Sequence, residues 1–450
     1  MLCYELSAVV WLSIHPLAVP LGRCLLSVAI KREADAKRVL KSIWQMDTGA
    51  CALRCQAIPV RTIESRGKVV LFANTDWYLY NFCRSLALAL QRAGYELLLI
   101  SPRGEYGHRL CELGLRWEPL PMDRRSLNPL RELLLLNHLR RLFRRERPAL
   151  VHGFTIKCAV YGSLAARLAG VPARVNAVAG MGYVFTSNDI KARLLRPVVR
   201  MLLRLALDGP NARLILLNPD DVVMFQQAGL IDSSRVRLVP GAGVDCSRFP
   251  AAARHDLARP LRVLVAARLL WDKGLAEYAQ AARLLLGKGR TIHFLLAGMP
   301  DPGNPAAVPE STVRAWVDEG LIEWLGHVDD MPELLGSVDM VVLPSYREGL
   351  PTNLIEAAAC GLPLVTTDAP GCREVVMDGV DGLLVPVRDA VALAAAIARL
   401  QDDPALASRL GAAARAKALA EFDERIVIER TLAVYRELLD DPDQAQPSSR

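Results

Sequence analysis

The stretch Arg347-Glu348-Gly349-Leu350-Pro351-Thr352-Asn353-Leu354-Ile355-Glu356 decides the fold, because it leads through a Gly/Pro loop into a helix. The apolar run Asp339–Leu343 before it predicts a buried strand, and residues 353–359 have helical composition up to Gly361. Ligands of open parallel sheets bind beyond the carboxyl ends of the strands. The sequence therefore predicts a ligand site at this strand-to-helix turn.

The side chains of this turn suit a phosphate and a sugar. Thr352 is expected to cap the helix, whose first N–H groups and positive dipole end attract a phosphate. Gly349 lets the backbone approach a ligand closely. Glu356 lies one turn inside the helix, where it can accept from a ribose diol, and Glu348 lies outside it, within reach of a sugar hydroxyl. A capped helix with two solvated carboxylates is the alternative interpretation, because the spacing of two glutamates is a weak signal alone.

A second turn upstream supplies positive charge. The run Arg262–Ala267 predicts a buried strand, and it is followed by Arg268 and, across a short turn, by Lys273-Gly274 at a helix start. Both cations are expected at the same sheet edge as the glutamates, where they could neutralise a diphosphate leaving group. Two surface cations at an ordinary turn are the alternative.

The combined pattern, R-x4-K-G followed by E-G-L-P-T-N-L-I-E-A-A-A-C-G-L-P-L-V-T-T-D, resembles the family-4 retaining glycosyltransferases of the GT-B fold. The resemblance implies that Arg268 and Lys273 hold the diphosphate of a nucleotide-sugar donor. It implies further that Glu356 binds the ribose and that Glu348 contacts the transferred sugar. The loop amides expected near the phosphate belong to the segment Gly349, Leu350, Pro351 and Thr352.

Strands and helices alternate in two series, which predicts an α/β protein with two doubly wound, Rossmann-like domains facing across a cleft. Strands are predicted at Val69–Ala73, Leu97–Ile100, Leu150–His152, Arg174–Ala177 and Arg213–Leu217, and again at Val263–Ala267, His293–Ala297, Ile322–Leu325, Asp339–Leu343 and Leu364–Thr367. We expect an acceptor-binding domain over 67–250 and a nucleotide-sugar-binding domain over 251–420. A terminal helix over 421–440 is expected to cross back to the first domain, as it often does in GT-B proteins, before a frayed tail over 441–450.

Segments of the first domain carry a second resemblance. Residues 74–82 (N-T-D-W-Y-L-Y-N-F), 101–102, 180–185 and 241–245 look like bacterial enzymes that elongate undecaprenyl-diphosphate-linked saccharides, N-acetylgalactosaminyltransferases among them. Many family members place a Gly-Gly pair in the first of these loops to admit the donor phosphate, but residues 74–78 contain no glycine. The hypothesis is that Asn74 and Tyr78 serve the acceptor instead, together with Gly182.

Other polar residues of the first domain are candidates for binding a ligand, each with a structural alternative. His152 ends a predicted strand, where it would point into the cleft and hydrogen-bond the transferred sugar, or be a satisfied structural residue. Lys157, on the loop predicted to follow, could meet an acceptor diphosphate. Asn218 and Asp221 lie at a strand-to-helix turn and could equally be a helix cap.

The chain of 450 residues has a net charge of +7 that is unevenly distributed, with +12 over residues 67–250 and −9 over 251–450. Arginines alternate with leucines over 124–147, and basic residues alternate with apolar ones over 191–204. Such basic amphipathic helices can lie on an anionic membrane surface. The alternative is that their apolar faces pack on the sheet and their arginines are solvated.

No pattern predicts a cofactor or a metal. The ten cysteines form no C-x2-C pair, and no Asp-x-Asp pair suited to a donor-bound magnesium ion appears. A metal-independent enzyme is therefore expected, with scattered cysteines that fit a reducing cytosol. No nucleic-acid motif supports a nucleic-acid partner for the basic half.

Residues 1–66 precede the resemblance and are of unclear role. Their apolar stretch over 6–22 is interrupted by His15, Pro16 and Pro20, which makes it a poor membrane span, and Glu5 is the only charge before Arg23, which disfavours a signal peptide. An accessory extension or a misassigned start remain the two interpretations.

Taken together, these patterns predict a retaining glycosyltransferase that moves a hexose or N-acetylhexosamine from a UDP-sugar to a polyprenyl-diphosphate-linked saccharide. It is expected to be peripheral on the inner face of the cytoplasmic membrane. A GT-B nucleotide-sugar epimerase, or a non-catalytic nucleotide-sugar-binding protein, are the alternatives.

Overall fold

The computed structural model describes residues 66–123, 126, 128–178, 190–251, 260–301 and 303–440, with the backbone alone at 190–195. The predicted site residue Gly182, the extension before residue 66, Arg124, Arg125 and the tail after residue 440 lie outside the described residues. The side chains of Lys191 and Arg193 lie outside them as well.

The first sheet is entirely parallel. Its strand order is β3-β2-β1-β4-β5-β6-β7. The strands are β1 (Lys68–Phe72), β2 (Glu96–Pro102), β3 (Trp117–Leu120), β4 (Leu150–Phe154), β5 (Ala173–Ala177), β6 (Ala212–Leu216) and β7 (Val236–Leu238). The order reverses direction between β1 and β4, so the carboxyl ends of these two strands flank a crevice.

The second sheet is also parallel, with the order β10-β9-β8-β11-β12-β13. Its strands are β8 (Leu261–Ala266), β9 (Ile292–Ala297), β10 (Glu323–Gly326), β11 (Met340–Leu343), β12 (Leu364–Thr367) and β13 (Leu383–Val385). The switch between β8 and β11 places the two turns singled out in the sequence next to each other.

Helices connect the strands of both sheets. Those of the first half are α1 (Asp76–Tyr78), α2 (Arg84–Arg92), α3 (Gly107–Glu112), α4 (Pro129–Glu146), α5 (Ile156–Ala169), α6 (Ile190–Leu207) and α7 (Pro219–Gln227). Those of the second half are α8 (Leu275–Gly287), α9 (Glu310–Asp318), α10 (Met331–Gly336), α11 (Thr352–Ala359), α12 (Cys372–Val375), α13 (Ala390–Asp402), α14 (Pro404–Lys417) and α15 (Glu424–Leu439). Single turns of 3-10 helix span Ser233–Arg235, Cys246–Arg248 and Trp271–Lys273, and π-helical turns span Leu79–Cys83 and Ala418–Phe422.

Alternate residues of each central strand enter cores on opposite faces of its sheet. Val69 and Leu71 of β1 belong to one buried cluster, whereas Val70 and Phe72 belong to another. Because side chains alternate along a strand and helices cover both faces, the central strands are almost continuously apolar. This pattern made them visible in the sequence, and the predicted architecture of two doubly wound parallel sheets is confirmed.

Three strands were not predicted, namely β3, β7 and β13, and all three lie at sheet edges. They are only three or four residues long, and β3 and β7 carry a proline or charged residues. An edge strand is partly solvated and needs no continuous apolar run, so its sequence resembles a loop.

The last helix, α15, packs against the first sheet. Its residues Val427, Val434, Tyr435 and Leu438 are buried in the same cluster as Val69 and Leu71 of β1. Asp423 caps this helix by accepting from the backbone N–H of Arg425 at 3.0 Å. The domain limits expected at residues 250, 420 and 440 stay a prediction.

Candidate active site

The loop from β11 to α11 is held from two sides. The backbone N–H of Glu348 donates to the carbonyl of Pro370 at 2.9 Å, and that of Tyr346 donates to Asp272 at 2.9 Å. Gly371 has a φ of 84°, and a Cβ atom there would lie 2.5 Å from the carbonyl oxygen of Glu348. Only glycine therefore allows this approach, which orders the loop around Glu348.

The prediction that Thr352 caps α11 is wrong. Thr352 is the first residue of the helix, and Pro351, in the cap position, has no side-chain hydrogen bond to offer. Asn353 instead joins the start of α11 to the end of β8, because its Nδ2 donates to the carbonyl of Ala266 at 2.6 Å. The two turns around the switch between β8 and β11 are thus bonded to each other.

Lys273 and Glu348 form an ion pair at the centre of this edge. Their Nζ and Oε1 atoms are 2.5 Å apart, and their side chains are 17% and 13% exposed. Gly274, with a φ of 71°, allows the close packing, since a Cβ atom there would lie 2.0 Å from the carbonyl oxygen of Pro344. The structure therefore brings one predicted cation and one predicted glutamate together.

Arg268 extends into the open space beside this pair. Its side chain is 63% exposed and lies 3.0 Å from Asp301, a partner that was not predicted. Arg268 lines two neighbouring cavities, which are called here the large cavity and the small cavity. A guanidinium at the junction of two cavities can contact a ligand that occupies both.

The large cavity has a volume of about 800 Å³. Its walls come from both halves of the chain and include Asn74, Thr75, Trp77, Tyr78, Phe82, Arg268, Met299, Asp301, Asn353 and Glu356. Burial raises the pKa of the Glu356 carboxyl to about 7. A cavity of this size, with aromatic walls and a few polar groups, suits a ligand with a planar ring and hydroxyl groups.

The small cavity, of about 350 Å³, adjoins it. Polar groups at its walls are His152, Arg268, Glu348, Thr352 and Thr431, and the remaining wall is mostly apolar, with contributions from Phe82, Phe154, Ile215, Leu217, Leu350, Val427 and Ile428. His152 from the first sheet and Glu348 from the second therefore border the same space. Tyr78 lines both cavities, and burial raises the pKa of its phenol, which keeps it neutral.

His152 lies at β4, where it is 1% exposed. Its Nδ1 is 2.6 Å from the hydroxyl of Tyr435, and its Nε2 is buried without a partner among the described residues. Burial lowers the pKa of the ring to about 3, so the imidazole is neutral at physiological pH. His152 lines the small cavity, and its contact with a transferred sugar stays a prediction.

Lys157 differs from its predicted position. It belongs to helix α5 and not to a loop, because Thr155 makes the turn after β4 in a single residue with a φ of 73°. Its Nζ donates to Glu132 at 2.8 Å and to the carbonyls of Asp123 at 2.7 Å and Ser126 at 3.1 Å. The ammonium is thus engaged by the segment before α4 and by α4 itself, and Lys157 does not line the large or the small cavity.

Asn218 and Asp221 do more than cap a helix. Asn218 does cap α7, since its Oδ1 accepts from the N–H of Asp221 at 2.7 Å. Its Nδ2 also donates to the carbonyl of Gly349 at 2.8 Å, and the buried carboxylate of Asp221 pairs with Arg347. The only signal in the sequence was an Asn-Pro-Asp-Asp run, which is common at helix starts, so the second role was not visible there.

No group of three or more His, Cys, Asp or Glu side chains in the described ranges is arranged to hold a metal ion. None of the helices that the structure describes is long and apolar enough to cross a membrane.

Comparison with known proteins gives two family matches. Residues 68–217 match the family described as "Glycosyl transferase 4-like", and residues 260–403 match "Glycosyl transferases group 1". The chain is 30% identical, over 369 residues, to the N,N'-diacetylbacillosaminyl-diphospho-undecaprenol alpha-1,3-N-acetylgalactosaminyltransferase of Campylobacter jejuni, which covers 79% of this chain and 95% of that protein. It is 28% identical to the UDP-Gal:alpha-D-GlcNAc-diphosphoundecaprenol alpha-1,3-galactosyltransferase of Escherichia coli over 63% of this chain and 74% of that one.

Solved structures share the fold at low sequence identity. Sucrose-phosphate synthase from Thermosynechococcus elongatus superposes with a TM-score of 0.69 at 20% identity, covering 83% of this chain and 99% of that one. Anabaena Alr3699/HepE in complex with UDP-glucose superposes with a TM-score of 0.65 at 20% identity, covering 83% of this chain and all of that one. The expected GT-B fold is confirmed.

Proposed function

Because the chain belongs to the glycosyltransferases of the group 1 and 4-like families, we propose that it moves a hexose or N-acetylhexosamine from a UDP-sugar to a polyprenyl-diphosphate-linked saccharide, with retention of configuration. The product would enter the assembly of a cell-surface polysaccharide, such as lipopolysaccharide, or of another glycan. The observation that carries this proposal is the shared wall at Arg268, which joins a large cavity containing Glu356 to a small one bordered by His152 and Glu348.

In this proposal the large cavity holds the UDP part of the donor. Its volume of about 800 Å³ is in the range of small-molecule sites. The ribose diol donates to Glu356, whose carboxylate is supplied by helix α11. Arg268, at the junction of the two cavities, faces the diphosphate together with the backbone N–H groups of Gly349, Leu350 and Thr352, which border the small cavity. Lys273 lines neither cavity and reaches the diphosphate only when its ion pair with Glu348 opens. The negative charge then meets two cations and a helix N-terminus.

The transferred sugar then occupies the small cavity between His152 and Glu348. The bond between C1 and the phosphate oxygen breaks as the two cations stabilise the departing UDP. The acceptor hydroxyl attacks C1 from the same face, and the leaving phosphate oxygen takes the acceptor proton. Because chain cations neutralise the leaving group, we expect transfer to proceed without a metal ion or another cofactor.

Support for the acceptor comes from the relatives. Two of them act, by their names, on sugars linked to diphospho-undecaprenol. We propose that Asn74, Tyr78, Gly182 and Lys157 serve such an acceptor. Tyr78 lines both cavities and Asn74 lines the large one, so both would contact the acceptor where it approaches the sugar beside the UDP part. The ion pair of Lys157 with Glu132 must open before its ammonium can meet a diphosphate.

A polyprenyl carrier requires contact with the membrane. Exposed apolar side chains project from α4 at Leu130, Leu133 and Leu134, and from α6 at Val198, Met201 and Leu205. Arginines accompany both groups, which suits an anionic surface. We therefore propose peripheral binding at the cytoplasmic face through these two helices, with no nucleic-acid partner.

The test is sugar transfer from a panel of UDP- and GDP-sugars to membrane-extracted polyprenyl-diphosphate saccharides, with EDTA present. Wild type is compared with Glu356→Ala, Arg268→Ala and the control Arg283→Ala, whose exposed side chain on α8 pairs with Glu319. Transfer by wild type and the control that collapses in the other two variants is expected. Release of free UDP without product would overturn the proposed acceptor, and conversion of the donor to an isomer would indicate an epimerase. If the chain showed no turnover and did not bind UDP, the proposed donor site would be overturned.

A further inference from the structure

We propose that Tyr435 is a positioning residue that holds His152 in the tautomer with its proton on Nε2, so that the imidazole donates a hydrogen bond to a neutral oxygen of a ligand in the small cavity. The identity of that ligand as a sugar rests on the proposed function. The hydrogen bond that sets the tautomer does not.

The contact joins two side chains 283 positions apart in the chain. Tyr435 lies on α15 and is 0% exposed, and His152 lies on β4 and is 1% exposed. Their Oη and Nδ1 atoms are 2.6 Å apart, which is a short hydrogen bond. The two rings meet edge to face with their centroids at 5.6 Å.

Which of the two groups donates this hydrogen bond is decided by the hydroxyl hydrogen of Tyr435. A buried hydroxyl hydrogen requires an acceptor, and the described residues offer the Tyr435 hydroxyl no hydrogen-bond partner other than His152 Nδ1. If Nδ1 carried a proton and donated to Oη, the phenol hydrogen would be buried without an acceptor. The hydroxyl hydrogen has an acceptor when Tyr435 donates to Nδ1, and the single N–H proton of the neutral imidazole is then on Nε2.

That proton has no partner within the chain. Nε2 is buried and unbonded, although His152 borders the small cavity. A buried polar atom without a partner is uncommon and often marks a place for a ligand or a water molecule. Since burial keeps the ring neutral, the donor suits an uncharged hydroxyl or carbonyl oxygen better than a phosphate.

Helix α15 combines this role with a second one. Val427, Thr431 and Tyr435 are spaced by four residues and so lie on one face of the helix. Val427 and Thr431 line the small cavity, and Tyr435 reaches the histidine in its wall. The same helix face therefore builds the cavity and orients its donor.

The tautomer is measured directly by ¹⁵N NMR of the histidine side chains in the full chain without substrate. The chain has seven histidines, and the resonances of His152 are assigned as those missing from His152→Asn. We expect a protonated, pyrrole-type Nε2 and a hydrogen-bonded, pyridine-type Nδ1 in wild type. In Tyr435→Phe the Nδ1 resonance is expected to lose its hydrogen-bond shift and a protonated Nδ1 fraction to appear. A proton on Nδ1 in wild type, or an Nδ1 resonance unchanged in Tyr435→Phe, would overturn the proposal.

The matched control is Tyr278→Phe. Tyr278 is also 0% exposed, and its hydroxyl bonds to the carbonyls of Val263 at 2.8 Å and Leu295 at 3.1 Å in the second sheet. Tyr278→Phe likewise removes a hydrogen-bonded hydroxyl from a buried core, but it leaves the surroundings of His152 unchanged. Should Tyr435→Phe fail to fold, the wild-type spectrum still decides where the proton is.

A kinetic cycle then tests the consequence for transfer. Tyr435→Phe is expected to lower kcat about tenfold while KM for the donor stays within about twofold, and to have less than a twofold effect in a His152→Ala background. An equal loss in both backgrounds would show that Tyr435 acts by another route. If the chain transferred no sugar, the proposed function would fail, while the NMR result would still decide the tautomer.

Discussion

Asn218 donates a hydrogen bond of 2.8 Å from its side chain to the backbone carbonyl of Gly349, which joins the turn after β6 of the first sheet to the loop after β11 of the second. Asp221, three residues on and fully buried, pairs with Arg347 of the same loop. The position of the loop that carries Glu348 is therefore set in part by the opposite half of the chain.

Breaking this connection is expected to affect both stability and donor binding. Asp221→Asn leaves the guanidinium of Arg347 without its charged partner, so we expect the free energy of unfolding to fall by about 3 kcal/mol. KM for the donor should rise several-fold because the loop loses its support. Chemical denaturation and initial rates measure the two effects.

The neighbouring Asp220 provides the control, because it pairs with Arg373 at 3.3 Å in an exposed position. Asp220→Asn should cost less than about 1 kcal/mol. Equal losses in the two variants would mean that the buried pair has no special role.

We expect nucleoside binding to depend on pH through the carboxyl group of Glu356. Burial raises its pKa from 4.5 to about 7, so the folded chain holds a proton here between these values that the unfolded chain has lost. Its contribution to stability therefore falls as pH rises through that window. A ribose diol needs the carboxylate as an acceptor, so affinity should rise as pH rises, by up to about tenfold per pH unit below 7.

Uridine is the suitable ligand for titration calorimetry from pH 5.5 to 8, since it has no phosphate that would titrate in this range. Glu356→Gln should bind uridine more weakly and without this slope, whereas Glu310→Gln, at an exposed position on α9, should behave as wild type. A slope retained in Glu356→Gln would assign the titration to another group.

Single and double variants of Lys273 and Glu348 distinguish a structural role of their ion pair from a role in sugar transfer. Lys273→Met or Glu348→Gln alone leaves one partner unpaired, and each should lower the free energy of unfolding by about 3 kcal/mol. The double variant should recover most of this stability. Turnover should stay about a hundredfold or more below wild type in all three, because the leaving-group cation or the sugar contact is missing.

Calorimetry and single-turnover rates on the same preparations test this. Arg290 and Asp402, an exposed pair at 2.7 Å, give a control cycle in which each term should be below about 1 kcal/mol. Recovery of turnover together with stability in the double variant would make the pair purely structural.

Membrane binding is expected to depend on the apolar end of α4. Leu133 and Leu134 are 63% and 69% exposed, and placing such side chains in the headgroup boundary contributes about 1 kcal/mol or more each. Leu133→Gln/Leu134→Gln should therefore lower partition into phosphatidylglycerol vesicles by about thirtyfold or more. Sedimentation with vesicles at two salt concentrations measures it.

Val391→Gln is the control, since Val391 is 69% exposed on α13 in the acidic half of the chain. Its partition should equal that of wild type. Equal binding by all variants, or no preference for anionic vesicles, would contradict docking through α4.

Not all arginines of the basic segment are available to a membrane. Arg145 pairs with Glu118 and Glu146, and Glu146 also accepts from Arg116 at 2.8 Å and from Lys68 at 2.8 Å. These contacts lower the pKa of Glu146 to about 2. The count of basic residues in the sequence therefore overstates the charge that α4 offers a surface.

The sequence by itself determined the two parallel sheets and the edge at which the site lies. A strand that is buried on both faces must be apolar throughout, and a ligand-binding turn after it needs glycines and polar side chains at fixed spacings. Both features can therefore be recognised from neighbouring residues in the sequence. The turns that contain Arg268, Lys273, Glu348 and Glu356 were identified in this way. Short edge strands such as β3 escaped, because partial solvation imposes no such pattern.

Only the tertiary structure decided which side chains meet. The partner of His152 is a tyrosine on the last helix, the loop of Glu348 is bonded to Asn218, and the ammonium of Lys157 is engaged by Glu132. Each of these contacts joins residues 25 or more positions apart. Such contacts depend on how whole helices and sheets pack, which fixes distances and burial that no spacing along the chain encodes.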